Sequence, residues 1–121
     1  MSKRGLIEIL SDIKEAISRI YKYIRNLNYE QFLKDLKTQD AVVRNFEIIG
    51  EAVKFLPDDL KRKTESIPWN KIAGIRDRLI HQYFGVNYEI IWTIIDEELT
   101  DFQIEIDILL SKEIQNQEAV D

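Results

Sequence analysis

The chain has 121 residues, a formal net charge of −5, 45% hydrophobic and 32% charged residues, and no cysteine. That is the size and balance of one globular domain with a core of its own, and it excludes a disulfide framework and a thiolate metal site. The apolar run after Lys3 and Arg4 is soon broken by Ser11 and Asp12, too early for a signal peptide or a membrane span. The expectation is a cytoplasmic protein with one helical domain over residues 1–114 and a polar, disordered tail over 115–121.

Charge is unevenly spread. Residues 1–56 hold 10 basic and 8 acidic side chains, residues 57–88 hold 6 and 4, and residues 89–121 hold 1 and 10. The acidity therefore sits in the last quarter, and Lys61, Arg62, Lys63, Lys71, Arg76 and Arg78 cluster ahead of it. A polyanion could meet that basic region while the C-terminal helix faces elsewhere.

Apolar residues recur at three- and four-residue spacing along nearly the whole chain, which predicts helices. Leu6, Leu10, Ile13, Ile17, Ile20, Ile24 and Leu27 form the stripe of a first helix from about Lys3 to Asn26. Asn28 is placed to cap a short second helix that turns Phe32, Leu33 and Leu36 inward. Thr38 is read as the cap of a third helix running to about Leu56, with Val42, Phe46, Ile49, Val53 and Leu56 buried. Gly50 in its middle costs about 1 kcal/mol relative to alanine, a cost that a close helix–helix contact would explain. Pro57 ends this helix and opens a short one through Asp58–Lys63, and a loop spans residues 64–67. Pro68 suits the first turn of a helix carrying Trp69, Ile72, Ile75, Leu79 and Ile80. That helix is expected to stop near Phe84 with Gly85 as its C-cap. Asn87 caps a final helix through Ile91, Ile94, Ile95, Leu99, Phe102, Ile106 and Leu109. The fold class is all-α: an antiparallel bundle of four to five helices.

Few reactive groups are available. His81 is the single histidine and the one side chain type that titrates near neutrality unperturbed. A Cys/His metal site fails by counting, and the glycines are too few and dispersed for a phosphate loop. The stretch from Ile75 to Gly85 remains. RNA carries its own nucleophile, the 2′-hydroxyl, so cleavage without a metal needs a base, an acid and a cation on the phosphate. His81 can do acid–base work and Arg76 can hold phosphate oxygens. On a continuous helix Asp77 shares a face with His81 and would orient it, and Tyr83 comes two turns after Arg76. On the same helix Arg76 and His81 point about 140° apart. Three arrangements resolve this: the arginine curls round, the helix loosens before Gly85, or two subunits share the site. The third also supplies a second imidazole, and it predicts a homodimer with the site at its interface.

The run Arg76-Asp77-Arg78-Leu79-Ile80-His81-Gln82-Tyr83 resembles the R-x4-H-x-Y signature of HepT-like toxins in the HEPN superfamily. The stretches Arg44–Ala52 and Ile67–Ile75 are similar to that family's second main helix and to the lead-in to its motif helix. Tyr83–Asn87 and Ile91-Trp92 resemble the segment C-terminal to the motif in the same family. The similarity spans roughly residues 5–110. It implies a dimerising bundle with paired motifs lining a cleft, and a metal-independent endoribonuclease that uses no cofactor. Arg76 and His81 are then catalytic, and Asp77 and Tyr83 support them. The resemblance also implies a partner antitoxin, a minimal nucleotidyltransferase that attaches AMP to Tyr83, as in type VII toxin–antitoxin systems. Added phosphate charge and bulk there would keep an RNA phosphate away from Arg76 and His81. Glu47 and Glu51, one turn apart, could face the motif helix, although a surface or inter-helix salt bridge is the plainer role.

Two other readings compete. A non-catalytic partner subunit would bind nucleotide or substrate for a nucleotidyltransferase. A purely structural bundle would dimerise through its isoleucine faces and tolerate Arg76→Ala with a change of about 0.5 kcal/mol.

Overall fold

The computed structural model describes the backbone of residues 3–81 and 85–120 and the side chains of residues 5–79 and 85–119. Eight helices and one two-residue strand pair make up the described chain. Helix α1 covers Lys3–Ile24, with Leu10, Ile13, Ile17 and Ile20 fully buried along the predicted stripe. Asn26 stands just past its end in the left-handed region at φ 67°, a conformation asparagine tolerates better than most residues.

Helix α2, Tyr29–Lys34, starts as the sequence indicates. The Asn28 side chain accepts from the Gln31 N–H at 2.8 Å, and the Gln31 side chain accepts from the Asn28 N–H at 2.9 Å, a reciprocal capping box. Phe32 is buried, but Leu33 and Leu36 are 41% and 73% exposed, against the expectation that all three turn inward. The reason is a break at Asp35, which caps α3, Leu36–Lys54, by accepting from the Thr38 N–H at 3.0 Å. Thr38 is thus the donor in this cap, not the cap itself. The same bond, backbone N–H first, holds the Asp35 carboxyl below its usual range. Six residues bury only one side of α2, and Leu36 opens a helix whose buried face begins at Gln39.

Val42, Phe46, Ile49, Val53 and Leu56 of the third stripe are all buried. Helix α3 lies against α1, and α1 against α8, so these three long helices enclose most of the core. Gly50 marks where α3 meets the next layer. A Cβ there would sit 3.0 Å from Ile75 Cγ2 and 3.4 Å from the carbonyl oxygens of Ile72 and Ala73. Helix α4, Asp58–Lys63, has no fully buried residue and rests on the core through Leu60.

The largest departure from expectation comes after Pro68. In place of one helix to Phe84 there are two short ones, α5, Trp69–Ala73, and α6, Ile75–Leu79. Gly74 ends the first by donating to the Asn70 carbonyl, and its own carbonyl accepts from the N–H groups of Asp77 and Arg78 to begin the second. The chain then leaves helical geometry. Ile80–His81 (β1) pairs antiparallel with Gly85–Val86 (β2), His81 opposite Gly85. Asn87 N–H reaches back to the Leu79 carbonyl at 2.7 Å. Gly85 is therefore a strand residue at φ 76°, not a helix C-cap.

Asn87 does cap α7, Tyr88–Glu97, accepting from the Ile90 N–H at 3.1 Å. The single final helix expected from the sequence is interrupted at Glu98, and α8 runs from Leu99 to Val120. It continues past residue 115, where a disordered tail was expected. Among the described residues, no helix is long and apolar enough to cross a membrane.

Candidate active site

Helix α6 carries the arginine of the motif, and its two apolar anchors set the direction. Ile75 and Leu79, four apart, are 4% and 1% exposed. Their burial turns Arg76 and Asp77 outward, and both are exposed. Arg78 takes a different course. Its guanidinium donates to Glu98 at 3.2 and 3.5 Å, and Lys71 Nζ reaches the same carboxylate at 3.1 Å. Burial pushes the Glu98 carboxyl up, but the bonds from Arg78 and Lys71 outweigh it and hold the group below its ordinary value. This three-way contact fastens α5 and α6 to the break between α7 and α8.

The ion pairs divide the basic cluster. Arg62 is taken by Asp59, and Lys71 and Arg78 by Glu98. Arg76, Lys61 and Lys63 pair with no described residue. Three of the six cations are thus committed to carboxylates, and Arg76 is not among them.

His81 lies on β1, two residues past the end of α6. The helical-wheel angle between Arg76 and His81 therefore has no meaning here, and the helix is already unwound before Gly85. By the same token Asp77 and His81 do not share a helix face, which corrects that expectation. Helix α6, which carries Arg76, stops at Leu79 and does not run on through residue 81. The His81 side chain and residues 82–84, Tyr83 included, lie outside the described residues. Glu51 bonds Lys54 on its own helix at 3.1 Å, the plainer of its two roles, and Glu47 is half-buried on the same helix.

The structure adds residues that the sequence did not single out. Asn45 is only 4% exposed; its Nδ2 donates to the Ala41 carbonyl at 2.8 Å, and its Oδ1 is buried with no partner among the described residues. The signal was present, because Asn45 sits between Val42, Phe46 and Ile49 on the apolar face. Glu98 gave no such signal, since its partners lie 20 and 27 positions away. A mostly apolar cleft of about 450 Å³ is lined by Ile72, Ile75, Leu99 and Phe102, together with the paired Arg78 and Glu98. It excludes Arg76 and suits apolar contact better than phosphate. Among the described residues no group of three or more His, Cys, Asp or Glu is placed to hold a metal ion.

A helical bundle that displays a free arginine five residues ahead of a strand-borne histidine defines the class. The profile of the ribonuclease HepT-like family matches residues 13–109, and the chain belongs to that family. It is 42% identical over 118 residues to a protein of Methanocaldococcus jannaschii described as a candidate RNase, covering 98% of this chain and 97% of that one. A protein of Thermococcus cleftensis named probable ribonuclease HepT is 47% identical over 97 residues, 80% of this chain and 88% of that one. A candidate RNase of Caldanaerobacter subterraneus subsp. tengcongensis is 42% identical over 104 residues, 86% of this chain and 93% of that one. No solved structure matches the chain significantly.

Proposed function

We propose that the protein is a metal-independent endoribonuclease and the toxin of a toxin–antitoxin pair. The observation that carries the reading is the state of Arg76. It is exposed and unpaired among the described residues, while its neighbour Arg78 is committed to Glu98. A guanidinium left free five residues ahead of the motif histidine in sequence is available to a phosphodiester, and the family is one of ribonucleases.

The chemistry needs no added reactant. An imidazole takes the proton of the RNA 2′-hydroxyl, and the 2′-oxygen attacks phosphorus. The bond from phosphorus to the 5′-oxygen breaks, and an imidazolium gives that oxygen a proton. The products are a 2′,3′-cyclic phosphate and a 5′-hydroxyl. Arg76 holds the non-bridging oxygens as charge grows on them. One histidine per chain does not readily serve as base and acid together, so the reading includes a homodimer that places two copies of His81 and Arg76 at one cleft. Tyr83, two residues on, is the site at which a cognate nucleotidyltransferase would attach AMP and silence the enzyme through charge and bulk.

The deciding experiment is an RNase assay on the purified protein beside His81→Ala. Cleavage is expected to persist in EDTA, to leave cyclic phosphate ends, and to vanish in the variant. A strict need for a divalent cation, or 3′-hydroxyl products, overturns the mechanism. Mass spectrometry after co-expression with the adjacent nucleotidyltransferase is expected to show AMP on Tyr83. An unmodified tyrosine in a neutralised complex points to occlusion instead.

A further inference from the structure

A groove between the start of α2 and the β2–α7 segment has a chemistry unlike that of the Arg76 surface. Tyr29 and Leu33 bound one side, and Gly85, Asn87, Tyr88 and Glu89 the other. No lysine or arginine is among its described lining, so it is not built for a phosphate. Tyr29 and Tyr88 are half-buried, and each ring is steadied from behind by an aromatic neighbour. Tyr29 lies 5.9 Å from Trp92 and Tyr88 lies 6.1 Å edge-on to buried Phe32, which itself packs 5.2 Å from Trp92. Half-buried rings that are fixed in this way and line a groove suit the stacking of nucleobases.

Besides the two tyrosines, the polar side chains of the lining are Asn87 and Glu89. Asn87 Oδ1 is occupied by the Ile90 N–H, which fixes the amide and leaves its NH2 without a described partner. Glu89 is exposed and pairs with no described residue. The groove also opens beside the motif histidine. Gly85 is the ladder partner of His81, so their Cα atoms lie about 5 Å apart, and a Cβ on Gly85 would meet nothing within 4 Å.

We infer that this groove is a guanine-binding subsite for a nucleotide next to the cleaved phosphate. The base stacks on the Tyr29 and Tyr88 rings. The Glu89 carboxylate accepts from the adjacent N1–H and N2–H donors, and the Asn87 amide donates to the acceptor edge carrying O6 and N7. Guanine is the one common base that offers two neighbouring donors to a carboxylate. Uracil offers one, and adenine's exocyclic amine lies beside an acceptor. The assignment of a neighbouring phosphate to Arg76 and His81 rests on the ribonuclease reading above, whereas the base selectivity is tested apart from it.

The test is binding of labelled RNA to the His81→Ala protein, which removes cleavage from the measurement. A short oligouridine with one central guanosine is compared with oligouridine alone. The guanosine strand is expected to bind about 10-fold tighter, a difference of about 1.4 kcal/mol. Inosine in its place, lacking the 2-amino group, is expected to lose most of that gain. Glu89→Gln, a change at an exposed side chain, and Tyr29→Ala, checked for retained helicity, are each expected to bring the two strands within about twofold. Equal affinity of the wild-type groove for both strands overturns the proposal, and so does a guanosine preference that survives Glu89→Gln. Guanosine binding without cleavage by the unmutated protein sinks the ribonuclease reading and leaves the subsite standing. Cleavage with no base preference does the reverse.

Discussion

Two arginines on one short helix show how burial and pairing sort a motif into parts. Arg76 points to solvent with no described partner, and Arg78, two positions on, donates to Glu98 at 3.2 Å. Their substitutions are expected to separate. Arg76→Ala should lower kcat for RNA cleavage by roughly 100-fold or more, as loss of a charge-stabilising donor does, with stability changed by no more than about 0.5 kcal/mol. Arg78→Ala should reduce stability by about 1 kcal/mol and cost far less activity. Parallel kinetics and urea titrations of the two variants check this, and equal activity losses would dissolve the distinction.

At the scale of elements, what matters is how α5 and α6 are held. Gly50 lets α3 approach them closely. Gly50→Ala gains about 1 kcal/mol of helix propensity, but its methyl would press on Ile75 and on two backbone carbonyls that have no rotamer to move into. A net loss of about 1 kcal/mol is expected, and a rise in the urea midpoint would show that the contact is looser than drawn. Glu98 supplies the second hold. Its carboxyl is depressed in the folded state, so the stability it contributes is present above the ordinary value of 4.5 and is lost as pH falls through the lowered one. The groups are partly exposed and screened, so the contribution is about 0.5–1 kcal/mol. Glu98→Gln is expected to lower Tm by a few degrees at neutral pH, with the gap to wild type closing below pH 4.5. A gap that persists unchanged in acid would mean that packing, not charge, holds the junction.

For the whole molecule, charge and symmetry converge on one arrangement. Residues 89–121 carry 10 acidic side chains against 1 basic, which disfavours RNA along the C-terminal helix and disfavours two such faces meeting each other. A twofold dimer is therefore expected to form through the side that bears α6 and the β1–β2 pair. Light scattering at micromolar concentration should report a dimer. Mixing wild-type with His81→Ala chains should lower cleavage by more than dilution alone, because a mixed dimer lacks one of the two imidazoles that the shared site requires. A monomer that cleaves RNA would remove the reason for two imidazoles at one phosphate.

Periodicity was enough to place α1, α3 and their buried stripes, because a face of five to seven apolar side chains leaves one orientation toward water. Local caps were equally legible at Asn28 and Asn87, since a capping bond spans three residues, and Gly50 was readable as a close contact because a mid-helix glycine has a cost to explain. The spacing of Arg76, His81 and Tyr83 was visible too, as a pattern. What the sequence left to the tertiary structure was the path of the chain between them. A helix through Pro68–Phe84 satisfies the local pattern, yet the Leu79 carbonyl bonds Asn87, and Ile80–His81 bonds Gly85–Val86. Which cations stay free was also decided there, because Glu98 meets Lys71 and Arg78 only once α7 and α8 fold back on them. Intervals of three or four residues are written in local order, whereas a hydrogen bond or ion pair between distant segments exists only when packing brings its two ends together.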